Sequence, residues 1–284
     1  MKTCALLLLL TAVAGPSFAT RTLHDELGRL VIVSDHPHRI VCLTPSVADA
    51  LYALGAERDV VGVSEYTKYP PQARQKPSIG MPLNPSLETI ITLHPDLVVG
   101  SADLPPINIK GFERLGIPVF LVKPVGIQGV YTSLLDLGKA LNREPAADAL
   151  VTRLTSRVEA VRARVQRQPR VRVFMLIWAD PVVTIGKDAF ITDIISAAGG
   201  ESITRNMSHE FPEVSFETVV ALAPESILLV RASKMSVENL SQRAGWESLP
   251  AIRNHRVYYA DDRLASPSPV AIDALEDLAK QFHP

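Results

Sequence analysis

The chain contains one pattern twice, as Ser86-Leu-Glu-Thr-Ile-Ile-Thr-Leu-His-Pro-Asp-Leu-Val-Val99 and, 129 residues later, as Ser215-Phe-Glu-Thr-Val-Val-Ala-Leu-Ala-Pro-Glu-Ser-Ile-Leu228. Each copy begins with a serine that can cap a helix and carries a glutamate in the first helical turn. Each copy then reaches a proline, which stops the helix before an apolar strand. The repeat therefore predicts two equivalent helix–strand units, one in each of two lobes.

Short apolar runs alternate with helical stretches on both sides of the middle of the chain. The predicted strands are residues 39–43, 60–63, 97–99, 119–122, 171–177, 227–230 and 257–260. The predicted helices are residues 46–54, 86–93, 189–198 and 216–222. Buried strands that alternate with helices are typical of βαβ units. We therefore predict an α/β fold of two lobes with mainly parallel sheets.

A segment of a different kind lies between the two sets of strands. It starts at Pro145, runs to Gln166 without glycine or further proline, and has an apolar residue at every third or fourth position. This spacing predicts one amphipathic helix roughly 33 Å long. The helix is either an ordinary surface helix or a stiff connector between the lobes. We predict the connector, with lobes at residues 20–142 and 169–284 and a linking helix at 143–168.

The first nineteen residues have the pattern of a secretory signal peptide. Lys2 precedes an apolar stretch, and Ser17-Phe18-Ala19 provides the small residues that a signal peptidase recognises. The alternative is a membrane anchor, but the stretch is shorter than the ~20 residues that a spanning helix requires. We therefore predict cleavage after Ala19 and an exported, soluble protein that localises to the periplasm.

Composition and motif searches exclude several functions. The net charge is −1, which gives no indication of the basic patch that a nucleic-acid partner requires. Cys42 is the one cysteine after the predicted signal peptide, so no internal disulfide is expected. The patterns GxGxxG, GxSxG and HExxH are absent. We predict a protein that is not an enzyme and has no resident metal or cofactor.

Glu88 and Glu217 occupy equivalent positions in the repeat and have two interpretations. In the first, each glutamate only stabilises the start of its own helix. In the second, the two carboxylates project from equivalent edges of the two lobes and bind two positive points on a two-fold symmetric partner.

Several segments resemble one family of transport proteins. They are residues 25–29, 39–46, 61–73, 184–188 and 198–202. Together with the repeat, they make the chain after residue 19 similar to the helical-linker class of periplasmic substrate-binding proteins, which serve ABC importers of cobalamin, haem and ferric siderophores. The resemblance is stronger to the cobalamin-binding branch. It implies two α/β lobes with a ligand cleft between them, and docking of Glu88 and Glu217 on arginines of the permease dimer. We expect the protein itself to be a monomer.

The resemblance also implies where a ligand would bind. Tyr66 and Phe211 match aromatic contacts, the loop with Pro45 and Ser46 matches a segment that lines the cleft, and Asp262 matches an acidic contact. Trp178 is a candidate because it follows a predicted strand, where ligands bind in α/β proteins. Arg263 is a candidate because the arginine expected nearby aligns with Ser266. The predicted ligand-binding residues are Pro45, Ser46, Tyr66, Trp178, Phe211, Asp262 and Arg263.

Three functions remain open from the sequence. A corrinoid receptor is preferred, with cobalamin as the transported ligand. A receptor for haem or a ferric siderophore is the alternative of the same fold, and His209 or Tyr66 would then be a candidate ligand for a metal in the transported molecule. Siderophore clefts tend to be rich in arginine because siderophores are usually anionic. The third function is an exported interaction or sensor protein without transport.

The resemblance also leads us to expect a tryptophan before the first repeat copy, where this sequence has Met81-Pro82 instead. We interpret Tyr69 as a structural residue.

Overall fold

The fold consists of two sets of strands and helices separated by one long helix. The computed structural model describes residues 19–284 except residue 234, so the predicted signal peptide lies outside the described residues apart from its last position. Before the long helix the elements are β1 (Thr20–His24), β2 (Leu30–Ser34), β3 (Ile40–Cys42), α1 (Pro45–Ala53), β4 (Val60–Val63), β5 (Gly80–Met81), β6 (Asn84–Pro85), α2 (Leu87–Thr92), β7 (Leu97–Ser101), α3 (Pro106–Arg114), β8 (Val119–Val122) and α4 (Gly126–Leu141).

The long helix is α5 (Glu144–Val165), and a second set of elements follows it. These elements are β9 (Val171–Leu176), β10 (Trp178–Ala179), β11 (Val182–Val183), α6 (Phe190–Ala197), β12 (Gly200–Ser202), α7 (Phe216–Leu222), β13 (Ser226–Leu229), α8 (Val237–Ser241), α9 (Pro250–Arg253), β14 (Val257–Tyr259) and α10 (Val270–Phe282). Short 3-10 turns connect several of them, including one at Asp262–Ala265.

The two lobes have the same sheet topology. The strand order is β4-β3-β7-β8 in the first sheet and β12-β9-β13-β14 in the second, and neighbouring strands are parallel in both. Each strand and its following helix therefore has a counterpart in the other lobe: α1 corresponds to α6, α2 to α7 and α4 to α10. The predicted α/β fold with two mainly parallel sheets is confirmed.

The sequence did not predict the small strands. The pairs β1–β2, β5–β6 and β10–β11 are antiparallel hairpins, and several of their strands have only two residues. Gly199 adopts a left-handed conformation with φ of 86°, and Gly200 begins β12 by pairing with Val171 in the parallel sheet. A two-residue strand or a strand that starts with glycine has no alternating pattern that could reveal it.

The linking helix packs against both lobes. Its apolar residues are buried and belong to one continuous cluster that extends from the first sheet to the second, and they include Leu150, Leu154, Val158, Val161 and Val165. On the same helix, Arg157 forms ion pairs of 2.6 Å with Asp273 and 2.7 Å with Glu276, both in α10. The helix therefore shares its core with both lobes. The exact boundaries at 142/143 and 168/169 stay a prediction.

Two carboxylates cap helices of the opposite lobe. Asp49 in α1 accepts a hydrogen bond of 3.0 Å from the backbone N–H of Val270, at the start of α10. Asp193 in α6 accepts one of 2.8 Å from the N–H of Ile127, at the start of α4. A carboxylate at a helix N-terminus satisfies a free amide and is attracted by the helix dipole. Because α1 corresponds to α6 and α4 to α10, the two caps are reciprocal, and they hold the lobes together beside the linking helix.

Burial shifts the pKa of one of these capping carboxyls. Asp49 is almost fully buried, and this burial raises the pKa of its carboxyl, although hydrogen bonds from the Val270 backbone and the Ser268 side chain oppose the rise. A buried carboxylate is tolerated only when its oxygens have partners. The hydrogen bonds that Asp49 accepts are therefore needed to offset the cost of burying its carboxyl.

We expect Asp49→Ala and Asp193→Ala each to lower the free energy of unfolding by about 1–2 kcal/mol, because each leaves a helix amide between the lobes without its acceptor. Asp49→Asn keeps an acceptor oxygen and should lose clearly less. Urea denaturation measures all three, with the exposed Asp148→Ala as the control. Equal stability of Asp49→Ala and Asp148→Ala would contradict the role of the cap.

Candidate functional site: a cleft between the two lobes

A cavity of about 400 Å³ opens between the lobes at the carboxyl ends of the parallel strands. This is the edge at which open α/β sheets bind ligands, because the loops after the strands converge there. The first lobe contributes the loops after β3 and β4, and the second contributes the ends of β9 and β13 and the segment after β14. The lining residues are Pro45, Ser46, Tyr66, Lys68, Tyr69, Met175, Val230, Ala260, Asp261, Asp262, Ala265, Ser266 and Pro267.

The start of α1 forms one wall of this cleft. Thr44 is the N-cap, and its hydroxyl accepts a hydrogen bond of 3.4 Å from the N–H of Val47. Pro45 follows in the first turn, where a backbone N–H would have no acceptor within the helix, so proline is tolerated. Ser46 comes next, with its hydroxyl 3.2 Å from that of Thr44. The helix start thus holds a proline ring and a hydroxyl group at the cleft.

Tyr66 lies at the tip of a tight turn after β4. The buried hydroxyls of Ser64 and Thr67 are 3.1 Å apart, and the Thr67 N–H donates to the Ser64 carbonyl. Ser64 and Thr67, on the two sides of the turn, are buried, whereas Tyr66 at its tip is 53% exposed. A tyrosine ring on a fixed turn offers a ligand a large surface at a small cost in conformational entropy.

One ion pair crosses the cleft. The Lys68 ammonium of the first lobe lies 2.7 Å from the Asp262 carboxylate of the second, and both side chains are partly exposed. Exposed ion pairs of this kind contribute about 0–1 kcal/mol to stability. A ligand that enters the cleft can therefore displace the pair or bind both of its groups.

Trp178 and Phe211 belong to two segments of the second lobe that meet at one backbone bridge, and we call this surface the platform. Neither residue lines the cavity. Trp178 pairs with Val183 in the hairpin β10–β11, and Val183 forms a bridge to Glu213. Phe211 lies two residues before Glu213, in a bend and not in a strand. Both aromatic residues are about half exposed, at 45% and 52%. The Trp178 indole N–H donates to the Asp180 carbonyl at 2.9 Å, which fixes the ring.

The loop that carries Phe211 is fixed against a glycine. Gly186 donates to the Glu210 carbonyl at 2.9 Å, and Thr184 donates to the Pro212 carbonyl at 3.0 Å. A Cβ atom on Gly186 would overlap the backbone carbonyl oxygens of Met207 and His209. Only glycine permits this close approach of the two backbone segments.

We expect Gly186→Ala to destabilise the protein by about 1–3 kcal/mol, because backbone atoms must move to make room for the methyl group. It should also displace Phe211 and weaken ligand binding. The matched control is Gly111→Ala, whose new methyl would meet only the side chain of Leu87. Thermal unfolding compares the two variants, and equal melting temperatures would be inconsistent with the packed loop.

Arg263 does not line the cleft. Its guanidinium pairs with Asp261 at 2.6 Å and with Asp277 at 3.1 Å. The guanidinium also holds the pKa of the Asp261 carboxyl below its usual value. Of the seven predicted ligand-binding residues, the structure brings together Pro45, Ser46, Tyr66 and Asp262 in the cavity, with Trp178 and Phe211 on the platform.

Sequence reasoning missed several residues of the cleft. Lys68 and Met175 were not considered, and Tyr69 was interpreted as structural although it lines the cavity. The signal for Lys68 and Tyr69 was their position in the loop after β4, next to Tyr66. Where the family's tryptophan was expected, Met81 and Leu83 are exposed on the hairpin β5–β6 and present apolar surface instead.

The two repeat copies fold in the same way. Ser86 accepts a hydrogen bond of 3.2 Å from the Thr89 N–H, and Ser215 accepts one of 3.2 Å from the Thr218 N–H. The pattern of buried and exposed residues is nearly identical in the two copies, and both glutamates are exposed. In the second copy, the hydrogen bond of the Glu217 carboxylate to its own backbone N–H and that to the Ser215 hydroxyl hold the pKa of Glu217 below its usual value.

An arginine clamp closes the other end of each repeat helix. Arg39, just before β3, donates to the Leu93 carbonyl at the end of α2 at 2.6 Å. Arg172 in β9 donates to the Leu222 carbonyl at the end of α7. The backbone N–H groups of the same arginines bind the acidic residue after each proline, Asp96 at 3.0 Å in the first lobe. The clamps fix α2 to the start of β3 and α7 to the start of β9. The sequence did not predict them.

A second, larger cavity of about 570 Å³ lies elsewhere, between the start of α4 and the edge strand β12. Several of its charged side chains are engaged with one another or with the backbone: Arg205 pairs with Glu201, and Arg170 donates to the carbonyl of Ser196 at 2.7 Å. None of the predicted ligand-binding residues lines it. We therefore take the cavity of about 400 Å³ at the strand ends as the candidate site.

Metal-binding groups are scattered in the part of the chain that the structure describes. There, no three His, Cys, Asp or Glu side chains are close enough together to hold a metal ion. His209 adopts a left-handed conformation with φ of 74° in the loop before Phe211. Within residues 19–284 without 234, the structure has no helix that is both long and apolar enough to span a bilayer.

Comparisons with known proteins give a consistent picture. Residues 40–264 match the model of a family described as periplasmic binding protein. An uncharacterised ABC transporter substrate-binding lipoprotein of Bacillus subtilis (strain 168) is 29% identical over 276 residues, which cover 93% of this chain and 85% of the relative. The vitamin B12-binding protein of Vibrio campbellii is 25% identical over 247 residues, which cover 86% of this chain and 89% of the relative.

A solved structure shows the same similarity. The periplasmic haem-binding protein of Roseiflexus sp. RS-1, in its apo form, superimposes with a TM-score of 0.80 at 26% identity. The match covers 87% of this chain and 98% of that one.

Proposed function

Because the chain belongs to the family of periplasmic binding proteins, we propose that it captures cobalamin or a related corrinoid after export and delivers it to the permease dimer of an ABC importer. Its relatives include substrate-binding components of ABC transporters, and one of them is named for binding vitamin B12. The ligand, the export and the docking surface are the parts of the proposal that need experiments.

The charge of the cleft is the observation that carries the choice of ligand. Among the residues that line the cavity, Lys68 is the one cation, and Asp262 neutralises it at 2.7 Å. Asp261 adds a second carboxylate, which Arg263 neutralises from outside the cavity. Such a cleft has no free positive charge for an anionic ligand. It suits a ligand that is neutral overall and that carries polar groups around a large apolar face.

The aromatic residues supply the faces for such a ligand. Tyr66 comes from the first lobe, and Trp178 and Phe211 come from the second. A flat ring system between two lobes gains most from rings of this type, because aromatic contacts contribute about 0.5–1.5 kcal/mol beyond their buried area. Ser46 and the Lys68–Asp262 pair are available to hydrogen-bond the polar groups of the ligand and so fix its orientation.

Haem is the second candidate, and Tyr66 is the observation that favours it. Its phenol is exposed in the cleft, and tyrosinate is a known ligand of haem iron. One structural relative is named for binding haem. The lack of an unpaired cation among the lining residues opposes haem, since the negative propionates of haem would have no free positive partner there. The same charge argument opposes ferric siderophores more strongly.

Titration of the purified protein with cyanocobalamin, cobinamide, haemin and a ferric siderophore tests the ligand. Trp178 is 45% exposed on the platform, whereas Trp246 is 1% exposed in the core of the second lobe. Quenching of fluorescence by a bound corrinoid should therefore decrease strongly in Trp178→Phe. If haemin alone binds with an iron-dependent absorbance change, and Tyr66→Phe removes that change, haem replaces the corrinoid as the ligand.

We expect Trp178→Ala and Phe211→Ala each to weaken corrinoid binding about 5–20-fold, which corresponds to about 1–2 kcal/mol of lost aromatic contact. Both side chains are half exposed in the free protein, so the melting temperature should stay within about 2 °C. Isothermal titration and thermal unfolding measure the two effects. Leu115→Ala, an exposed apolar residue at the opposite end of the first sheet, is the control. Unchanged affinity in both aromatic variants would exclude the platform from the site.

We expect the double variant Glu88→Gln/Glu217→Gln to lose most of its importer-dependent uptake and to keep its ligand affinity. The carboxylates are exposed and lie outside the cleft, so their removal leaves the lining of the cleft intact and removes the charge that they offer to a partner. Uptake into proteoliposomes with the reconstituted importer measures the loss. Normal uptake by the double variant would favour the remaining alternative, an exported interaction or sensor protein that does not use this docking surface.

A further inference from the structure

Each repeat helix exposes an apolar residue one turn after its glutamate. Ile91 is 43% exposed in α2, and Val220 is 39% exposed in α7. The preceding residues, Ile90 and Val219, point inward and are buried. Ile90 and Val219 therefore provide the apolar contact that packs each helix against its lobe. Ile91 and Val220 are additional apolar residues on the outer face.

Folding does not account for these two residues. Isoleucine and valine are less favourable than alanine at exposed helix positions, because their branched side chains lose rotamer freedom there. They nevertheless occur at equivalent positions, 129 residues apart, like the glutamates. A pair of exposed apolar residues that recurs with the symmetry of the repeat points to a partner with the same symmetry.

The spacing places each apolar residue beside a carboxylate. Residues three apart on a helix are neighbours on its surface, so Ile91 lies next to Glu88 and Val220 next to Glu217. In the described part of the chain neither glutamate takes part in a salt bridge. Each helix thus offers one unpaired negative charge and one apolar side chain on the same outward face.

Both ends of each helix are fixed before any partner arrives. Ser86 and Ser215 cap the starts, and Arg39 and Arg172 clamp the ends. A surface that is already ordered loses little conformational entropy when it binds, so more of the contact energy remains as affinity. The clamps therefore turn two short helices into rigid contact points.

We propose that Ile91 and Val220 are specific contacts for the permease dimer, and that each permease subunit offers an apolar pocket next to the cation that receives the glutamate. The proposal rests on the proposed function, because it takes the permease dimer as the partner. The carboxylates set the approach and the orientation of the complex. The apolar side chains lose water only in the docked complex and so slow its dissociation.

Three double variants test this proposal: Ile91→Ser/Val220→Ser, Ile91→Thr/Val220→Thr and Glu88→Gln/Glu217→Gln. The threonine variant keeps the branched shape and changes mainly the polarity, so a defect in folding cannot explain its result. Leu115→Ser is the control, because Leu115 is an exposed apolar residue outside the repeat. The measurements are the dissociation constant for the importer in lipid nanodiscs at low and high salt, corrinoid affinity and melting temperature.

The expected result separates charge from apolar contact. Both apolar variants should weaken the complex about tenfold or more at every salt concentration, with a less negative heat-capacity change on binding. The glutamate variant should weaken the complex mainly at low salt and flatten its salt dependence, because salt screens exposed charges. Corrinoid affinity and melting temperature should be unchanged in all of them, and Leu115→Ser should bind the importer like the unmodified protein.

Two results would overturn different parts of the proposal. If the glutamate variant binds the importer normally, the docking surface itself is wrong, and the proposed function loses its mode of delivery. If the glutamate variant is weakened but both apolar variants bind like the unmodified protein, docking stands and the role of Ile91 and Val220 is wrong.

Discussion

The structure depends on two helix caps, of which each lobe provides one for a helix of the other lobe. Asp49 completes the first turn of α10, and Asp193 completes the first turn of α4. Each helix start would otherwise present a free amide at the junction of the lobes. Each lobe therefore supplies an acceptor for a backbone amide of the other. The cleft lies directly between the lobes, so its width follows from these two hydrogen bonds and from the shared core along α5.

Much of the fold was predictable because it is encoded locally. The repeat was visible because serine caps, first-turn glutamates and prolines act within a few residues of one another. The linking helix was visible because Leu150 to Val165 keep a helical period over many turns. The small strands could not be predicted for other reasons: Gly200 pairs with the distant Val171, and the strands of the hairpin at residues 80–85 are only two residues long, too short to show an alternating pattern. The arginine clamps also join residues about 50 positions apart.

The site was predictable to a smaller extent. Pro45, Ser46, Tyr66 and Asp262 line the cavity, and they were predicted from the resemblance of their segments to one family. Arg263 was chosen from its position in the sequence, and that position could not reveal that two aspartates engage its guanidinium. Lys68 could not be recognised either, because its partner Asp262 is distant in the sequence and is brought near only by the arrangement of the two lobes.

The symmetry of the lobes has been kept in some places and lost in others. The sheets, the caps, the clamps and the repeat helices correspond closely, whereas the loops after the strands differ: the first lobe carries Tyr66 on a tight turn, and the second carries Trp178 and Phe211 on a platform. The proposed corrinoid ligand has no two-fold axis, so a symmetric cleft would fit it poorly. The proposed docking surface does repeat itself, so the protein could meet a two-fold partner in two orientations that differ by half a turn. Both present the same contacts, which about doubles the fraction of encounters that lead to docking.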